Sequence, residues 1–187
     1  ILTRMIRAGL SFEAALKEAQ ENGYAEKDPT ADVEGHDACR KICILASIAF
    51  GRHVSPRQVP TEGITGVTLA DVAYAESCNR KIKLLGRAVK ELDGKICAYV
   101  APHLIDAEAP LAGVEDVFNA IMVKGDAIGD VMFYGRGAGK LPTASAVVGD
   151  IIDIARDPKR KRHNMWGPGR EDLVVSPENL VVRWYVR

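Results

Sequence analysis

An aspartate and a lysine stand four positions apart at the start of a helical pattern, as Asp37 and Lys41. At this spacing two side chains share one helix face, and Asp before Lys is the favourable order for an ion pair. The pair is either an ordinary surface ion pair or a lysine at the edge of a cleft, held by the aspartate. In the second case Lys41 is able to exchange a proton with a substrate hydroxyl.

A loop rich in acids precedes this helix. It carries Glu26, Asp28, Asp32 and Glu34, and Pro29 within it argues against a continuous helix. Acids near a helix N-terminus are stabilised by the helix dipole. Taken alone, the loop is therefore best interpreted as capping and solvation.

The two stretches together form a recognisable segment. Its residues resemble the signature segment of homoserine dehydrogenases: Gly23-Tyr24-Ala25-Glu26, Asp28-Pro29, Asp32, Gly35, Asp37 and Lys41. Further motifs match that family in the same order along nearly the whole chain: Ile1-Leu2-Thr3, Glu62-Gly63-Ile64, Lys83-Leu84-Leu85, Asn119-Ala120, Gly135-Arg136-Gly137-Ala138-Gly139 and Pro142-Thr143-Ala144.

The resemblance implies roles for these residues. Enzymes of this family oxidise L-homoserine to L-aspartate 4-semialdehyde with NAD or NADP, on the route to threonine and methionine. It implies that Glu26, Asp32 and Tyr24 bind substrate, that Lys41 is the acid/base residue, and that Asp37 accompanies it.

A glycine-rich turn is the second candidate for ligand contact. Gly135 to Gly139 lacks both the phosphate-loop spacing and the strand–helix context of a dinucleotide fingerprint, so the pattern alone indicates a tight turn. The resemblance implies that Gly137, Ala138 and Gly139 approach the nicotinamide end of the cofactor. Most of the cofactor would be bound by an N-terminal Rossmann domain that this chain lacks.

Helices precede strands in the predicted order of elements. Helices are expected over 1–8, 11–21, 37–50 and 68–77, the third with Ile42, Leu45, Ala46 and Ala49 on its apolar side. Strands are expected over 81–89, 96–100, 117–123 and 131–134, with a turn at Asp93-Gly94, and Thr143 is expected to cap a helix to about Ala155. This order predicts an α+β fold with helices on one face of a mixed, largely antiparallel sheet.

Three regions follow from the pattern. Residues 1–157 are expected to form the catalytic and substrate domain, and 158–179 a basic, then Pro/Gly-rich linker. Residues 180–187 read as a terminal strand or the start of a C-terminal ACT-like domain, cut short. Both chain ends look like cuts through a longer protein. Because the resemblance implies that the Rossmann domain and a second functional lysine of the family are absent, we expect this fragment to be inactive alone.

Composition limits the partners. Lys plus Arg and Asp plus Glu both number 25, which gives no basic excess for nucleic acid, and the short basic run 159–163 is read as a solvated linker. The four cysteines contain no CxxC pair and the histidines lack ligand spacing, so no metal site is expected. We expect a cytoplasmic protein with no membrane partner.

Two other functions remain open: an amino-acid-binding regulatory module without catalysis, and an oligomerisation module.

The resemblance also implies a homodimer, built through the strands between Lys81 and Tyr134. The predicted fold is consistent with this dimer, since helices on one face of a sheet leave the other face to bury.

Overall fold

Two short helices open the chain. Helix α1 spans Leu2–Ala8 and ends at Gly9, whose φ of 61° is the left-handed conformation that glycine adopts without strain. Helix α2 spans Phe12–Glu21, and the Ser11 hydroxyl caps it by accepting a hydrogen bond from the Ala14 amide. Both helices agree with the prediction.

The computed structural model describes residues 1–137, 139–159, 165–183 and 185–186. The chain forms two units: Ile1–Asp28, Val67–Lys83 and His103–Arg162 make the first, and Pro29–Gly66, Leu84–Pro102 and His163–Arg187 make the second. Ala138 and residues 160–163 of the basic run lie outside the described residues.

The second unit is built around one long helix. Helix α4 spans His36–Phe50 and packs with the one-turn helix α3, Thr30–Val33. The buried side of α4 consists of Cys39, Cys43, Ala46 and Ser47. It faces alternate residues of a strand, Ile96, Ala98 and Val100, in a single apolar core.

Helix α5, Leu69–Ser77, is closed at its start by a capping box between Thr68 and Asp71. In the first unit it packs through Val72 and Ala75 on Met5 of α1 and on Ile82.

Strands β1, Arg80–Lys90, and β2, Ile96–Asp106, follow each other across the predicted Asp93-Gly94 turn. They are neighbours in a three-stranded sheet of order β1-β2-β5, in which β5 spans Val174–Val175. Since so short a connection joins only antiparallel neighbours, while β5 is parallel to β2, the sheet is mixed. The predicted α+β class is confirmed.

Two further strands form a separate hairpin. Strand β3, Phe118–Gly125, pairs antiparallel with β4, Gly129–Arg136. Helix α6, Lys140–Arg156, follows, and none of its side chains is buried. The predicted start of this helix at Thr143 is wrong, because Gly139 is the N-cap and Thr143 already donates its amide to the Gly139 carbonyl within the helix.

The stretch expected as a linker, 158–179, contains structure that packs. Strand β5, Val174–Val175, pairs with β2, and Leu173 is buried in the core of the second unit. The Gln58 side-chain amide also donates to the carbonyls of Arg170 and Glu171. Residues 170–175 are therefore a packed part of the second unit and not a linker. Within 180–187, none of the described residues belongs to a strand.

Among the helices of the described ranges, none is both long and apolar enough to cross a membrane.

Candidate active site

The first turns of α4 carry the predicted proton-transfer pair. The Lys41 Nζ atom lies 2.5 Å from the Asp37 Oδ2 atom, and the two side chains are 61% and 44% exposed. An exposed pair of this spacing adds only about 0.3–0.5 kcal/mol to a helix. The ion pair therefore contributes little to folding, while its exposure leaves the lysine accessible to a ligand.

The start of α4 is fixed by two close backbone approaches. Gly35, the N-cap, has a φ of 78°, and a Cβ there would meet Thr61 and Val100 at 3.3 Å. At Gly63 a Cβ would lie 2.1 Å from the Val33 carbonyl oxygen and 2.5 Å from the Glu34 Cα atom. Only glycine fits in this position, since such distances are below any van der Waals contact.

Hydrogen bonds complete this support. The Ile64 amide donates to the Val33 carbonyl at 2.7 Å, and the Glu62 amide donates to the Val100 carbonyl at 2.9 Å. The Glu62-Gly63-Ile64 motif thus ties the end of α3 to strand β2. It holds the turn between Asp32 on α3 and Asp37 on α4.

The acidic loop begins in the first unit. Gly23 has a φ of 71°, and the amides of Tyr24 and Ala25 both donate to the Ala19 carbonyl. The Gln20 side-chain amide donates to the carbonyls of Glu26 at 3.0 Å and Lys27 at 3.4 Å. Tyr24 is 62% exposed and Glu26 is exposed as well, so both side chains are open to a ligand.

The loop differs from the prediction at its far end. Residues 30–33 form helix α3 directly after Pro29. Proline is tolerated at a helix start because the amide that it lacks has no partner there in any case. Asp32 is exposed on this helix, and Val33 is buried beneath it.

The glycine turn precedes helix α6. A Cβ at Gly137 would lie 2.1 Å from the Asn119 Nδ2 atom, and Gly139 has a φ of 113° as the N-cap of α6, with no side-chain cap. The φ of Gly139 therefore favours glycine there, whereas a side chain at Gly137 would require the Asn119 side chain to move.

The structure brings Asp37 and Lys41 into contact and places Asp32 on the helix packed against theirs. Tyr24, Glu26, Gly137 and Gly139 belong to the first unit. The first unit also contains a cavity of about 330 Å³, which none of these residues lines; its walls include Ile6, Val72, Arg80 and Lys81. No cluster of three or more potential metal ligands occurs among the residues that the structure describes.

Sequence reasoning assigned no role to two supporting residues. In the sequence Gln20 is an ordinary polar residue of α2, and only the structure shows that its side chain hydrogen-bonds to the acidic loop. From the sequence, Gly63 is only one residue of the Glu62-Gly63-Ile64 motif that resembles the family. A glycine between an acid and an isoleucine in a Pro/Gly-rich loop is a signal for close backbone approach, but the sequence does not say to what.

A compact charge cluster lies in the first unit. Glu115 accepts hydrogen bonds from Arg7 and Lys81, and the Lys83 Nζ atom donates to the Val114 carbonyl. Burial acts to raise the pKa of Glu115, but the hydrogen bond and charge of Lys81 and the charges of Arg7 and Lys83 outweigh it and lower this pKa. Burial lowers the pKa of Lys83.

The family model for homoserine dehydrogenase matches residues 1–152. The chain belongs to the homoserine dehydrogenase family. A homoserine dehydrogenase from Synechocystis sp. is 45% identical over 201 residues, an alignment that covers 100% of this chain and 46% of the relative. The chain thus spans less than half the length of this curated relative.

Solved homoserine dehydrogenases have the same fold. The structure from Thiobacillus denitrificans is 42% identical with a TM-score of 0.85, over 95% of this chain and 42% of that one. A hyperthermophilic archaeal homoserine dehydrogenase in complex with NADPH is 33% identical with a TM-score of 0.67, over 83% of this chain and 43% of that one. These likenesses favour an enzyme over a regulatory module.

Proposed function

We propose that this chain is the catalytic and substrate-binding part of an NAD(P)-dependent homoserine dehydrogenase, which interconverts L-homoserine and L-aspartate 4-semialdehyde. The observation that carries the proposal is the Asp37–Lys41 pair on an exposed helix face, inside the stretch that matches the family model. The proposal includes a role in threonine and methionine synthesis and a cytoplasmic location.

Lys41 is proposed to move the proton. When the alcohol loses a hydride from its carbon, the oxygen must lose its proton as well, because a protonated aldehyde is too high in energy. Lys41 in its uncharged amine form accepts that proton directly or through one water, and the ammonium group so formed returns it in the reverse reaction. Asp37 holds the Lys41 side chain against rotation, since its carboxylate binds the ammonium group at 2.5 Å.

The acids are proposed to select the substrate. Homoserine carries an ammonium group beside its carboxylate, and Glu26 and Asp32 are exposed carboxylates that suit a cation. Tyr24 adds an exposed phenol on the same loop as Glu26. These groups bind the substrate before and during reaction, so they govern affinity rather than the chemical step.

The described residues suit contact with one end of a nicotinamide dinucleotide. Gly137 and Gly139 carry no side chains of their own, and the start of α6 has no side-chain cap. The cofactor supplies the hydride acceptor when bound. Gly137, Ala138 and Gly139 would contact it, and the remainder would be bound by a separate dinucleotide-binding domain; the NADPH complex of the archaeal relative supports a nicotinamide dinucleotide as the cofactor.

A homodimer is also proposed, through the β3–β4 hairpin. In the register of this hairpin Ile121 pairs with Phe133 and Val123 with Val131, so the four side chains share one face. Ile121, Val123 and Phe133 are 40%, 47% and 62% exposed. A second copy that covers this face would remove the apolar surface from water.

The test uses the full-length protein, with this chain joined to its dinucleotide-binding domain. Reduction of NAD(P) by homoserine is followed in purified wild type, Lys41→Ala, Lys41→Arg and, as a matched helix-surface control, Lys17→Ala. We expect Lys41→Ala to lower kcat about 10²–10⁴-fold with little change in KM. Lys41→Arg should fail nearly as badly, because guanidinium keeps its proton.

Two results would contradict the proposal. Wild-type protein that does not oxidise homoserine would refute the activity. An arginine variant that retains most of kcat would show that Lys41 acts as a fixed positive charge only.

A further inference from the structure

Helix α4 continues beyond the catalytic pair with an exposed apolar stripe. Asp37, Lys41, Ile44 and Ile48 follow one another at three- or four-residue steps, which places them along one line of the helix surface. Ile44 is 52% exposed and Ile48 is 41% exposed. The stripe and the proton-transfer pair therefore form a single surface.

Ile44 and Ile48 do not belong to the apolar core of the second unit. The buried positions of α4, Cys39, Cys43, Ala46 and Ser47, lie on the opposite side of the helix. An outward helix face is ordinarily polar, because apolar side chains there remain in contact with water. Two isoleucines on this face indicate a surface that is covered in the complete protein.

The proposed proton transfer indicates which part of the full-length protein covers this surface of α4. Lys41 takes a proton from the oxygen bonded to the carbon that loses its hydride, so the group that accepts the hydride must lie close to Lys41. Under the proposed function that group is bound chiefly by a separate dinucleotide-binding part, and more than half of the length of the relatives lies outside the region that this chain covers. The surface adjoining Lys41 is the one that this part must approach.

We infer that Ile44 and Ile48 are the docking surface for the dinucleotide-binding part of the full-length protein and so position Lys41 against the reacting atoms. The inference rests on the proposed function. It makes the two isoleucines positioning residues, since neither touches the substrate.

The test uses Ile44→Ser, Ile48→Ser and the double variant of the full-length protein. Serine and isoleucine have similar helix propensities, so the change removes the apolar contact and keeps the helix. Misplacement of a catalytic group by about 1 Å can cost on the order of 10²-fold in rate. We expect kcat of the double variant to fall by about 10- to 100-fold, with KM for homoserine nearly unchanged.

Three controls separate docking from other effects. Ile44→Val with Ile48→Val keeps the apolar contact and should restore most of kcat. Leu92→Ser changes a fully exposed leucine in the β1–β2 turn and should have no effect. The double serine variant of the 187-residue chain alone should remain folded in the absence of urea, because neither side chain belongs to the buried core of the second unit.

Unchanged kcat in the double serine variant would overturn the inference, as would a loss explained by destabilisation of the 187-residue chain. Conversion of a dimer to a monomer in sedimentation would instead assign the stripe to a second copy and would equally overturn it. Lys41→Ala, measured in parallel, distinguishes these failures from failure of the proposed function: if it too leaves kcat unchanged, the proton-transfer role is wrong.

Discussion

Glu26 and Asp32 offer the most direct residue-scale test of substrate recognition. Both side chains are exposed on the surface of the protein. In the full-length protein, Glu26→Ala and Asp32→Ala should each raise KM for homoserine, at a cost on the order of 1.5–3 kcal/mol for one lost charged partner. Glu21→Ala, an exposed acid on α2, is the control. If KM stays constant in both variants, these acids only cap and solvate the loop.

The charge cluster around Glu115 predicts how stability depends on pH. Because the folded pKa of Glu115 is lowered, its ionised form stabilises the protein above the ordinary glutamate pKa. This stability is lost as pH falls through the lowered value. Glu115→Gln should therefore reduce the free energy of unfolding by about 1–3 kcal/mol at neutral pH.

The measurement is urea unfolding of the 187-residue chain at pH 7 and near pH 3. The difference between wild type and Glu115→Gln should shrink at the lower pH, because a growing fraction of Glu115 is then protonated and has lost its charge. Asp116→Asn, at a neighbouring acid that is 57% exposed, should differ little from wild type at either pH. A penalty for Glu115→Gln that is equal at both pH values would show that packing, not charge, is responsible.

At the scale of elements, the close approach at Gly63 predicts a sharp contrast within one loop. Gly63→Ala forces a methyl group into the backbone of Val33 and Glu34, so it should cost at least about 1–3 kcal/mol of stability. Gly66→Ala, three positions along, places its methyl in open space and should change stability by no more than about 0.5 kcal/mol. Thermal unfolding of the two variants makes the comparison, and equal midpoints would contradict the described loop.

The elements also show where sequence patterns suffice and where they fail. The limits of α2 and α5 were predictable, because Ser11 and Thr68 are caps that act within one turn. The buried face of α4 was predicted only in part: Ala46 is buried and Ile42 packs against the core as expected, whereas Ala49 is exposed and Cys39 and Cys43 are buried. The strand that packs on α4 decides its orientation, and that contact is not local in sequence.

Contacts between segments distant in sequence also limit the prediction of the candidate site. The Asp37–Lys41 contact is set by helical spacing and could be predicted from the sequence. The support from Gln20 and Gly63 depends on contacts made by neighbouring segments, so it could not. Helix α3 was missed because its single turn is stabilised by the buried Val33 rather than by a repeating pattern.

For the whole molecule, the exposed face of β3–β4 predicts association. Wild-type protein should sediment as a dimer, and Phe133→Asp should shift it towards monomer because a charge would be buried without a partner. Ile128→Asp, which lies in the β3–β4 turn and is 74% exposed, is the matched control and should remain dimeric. A wild-type chain that stays monomeric at high concentration would contradict the proposed dimer.

The late position of β5 in the chain has a consequence during synthesis on the ribosome. The Ile96 amide donates to the Leu173 carbonyl, and Val174–Val175 pair with the start of β2. Until residue 175 has emerged, that edge of β2 presents unpaired amides and carbonyls to other chains. At about 5–20 residues per second, translation of the intervening stretch takes roughly 4 to 15 seconds. Each nascent chain therefore passes through a period of several seconds in which chaperones and neighbouring chains compete for the site that β5 finally occupies.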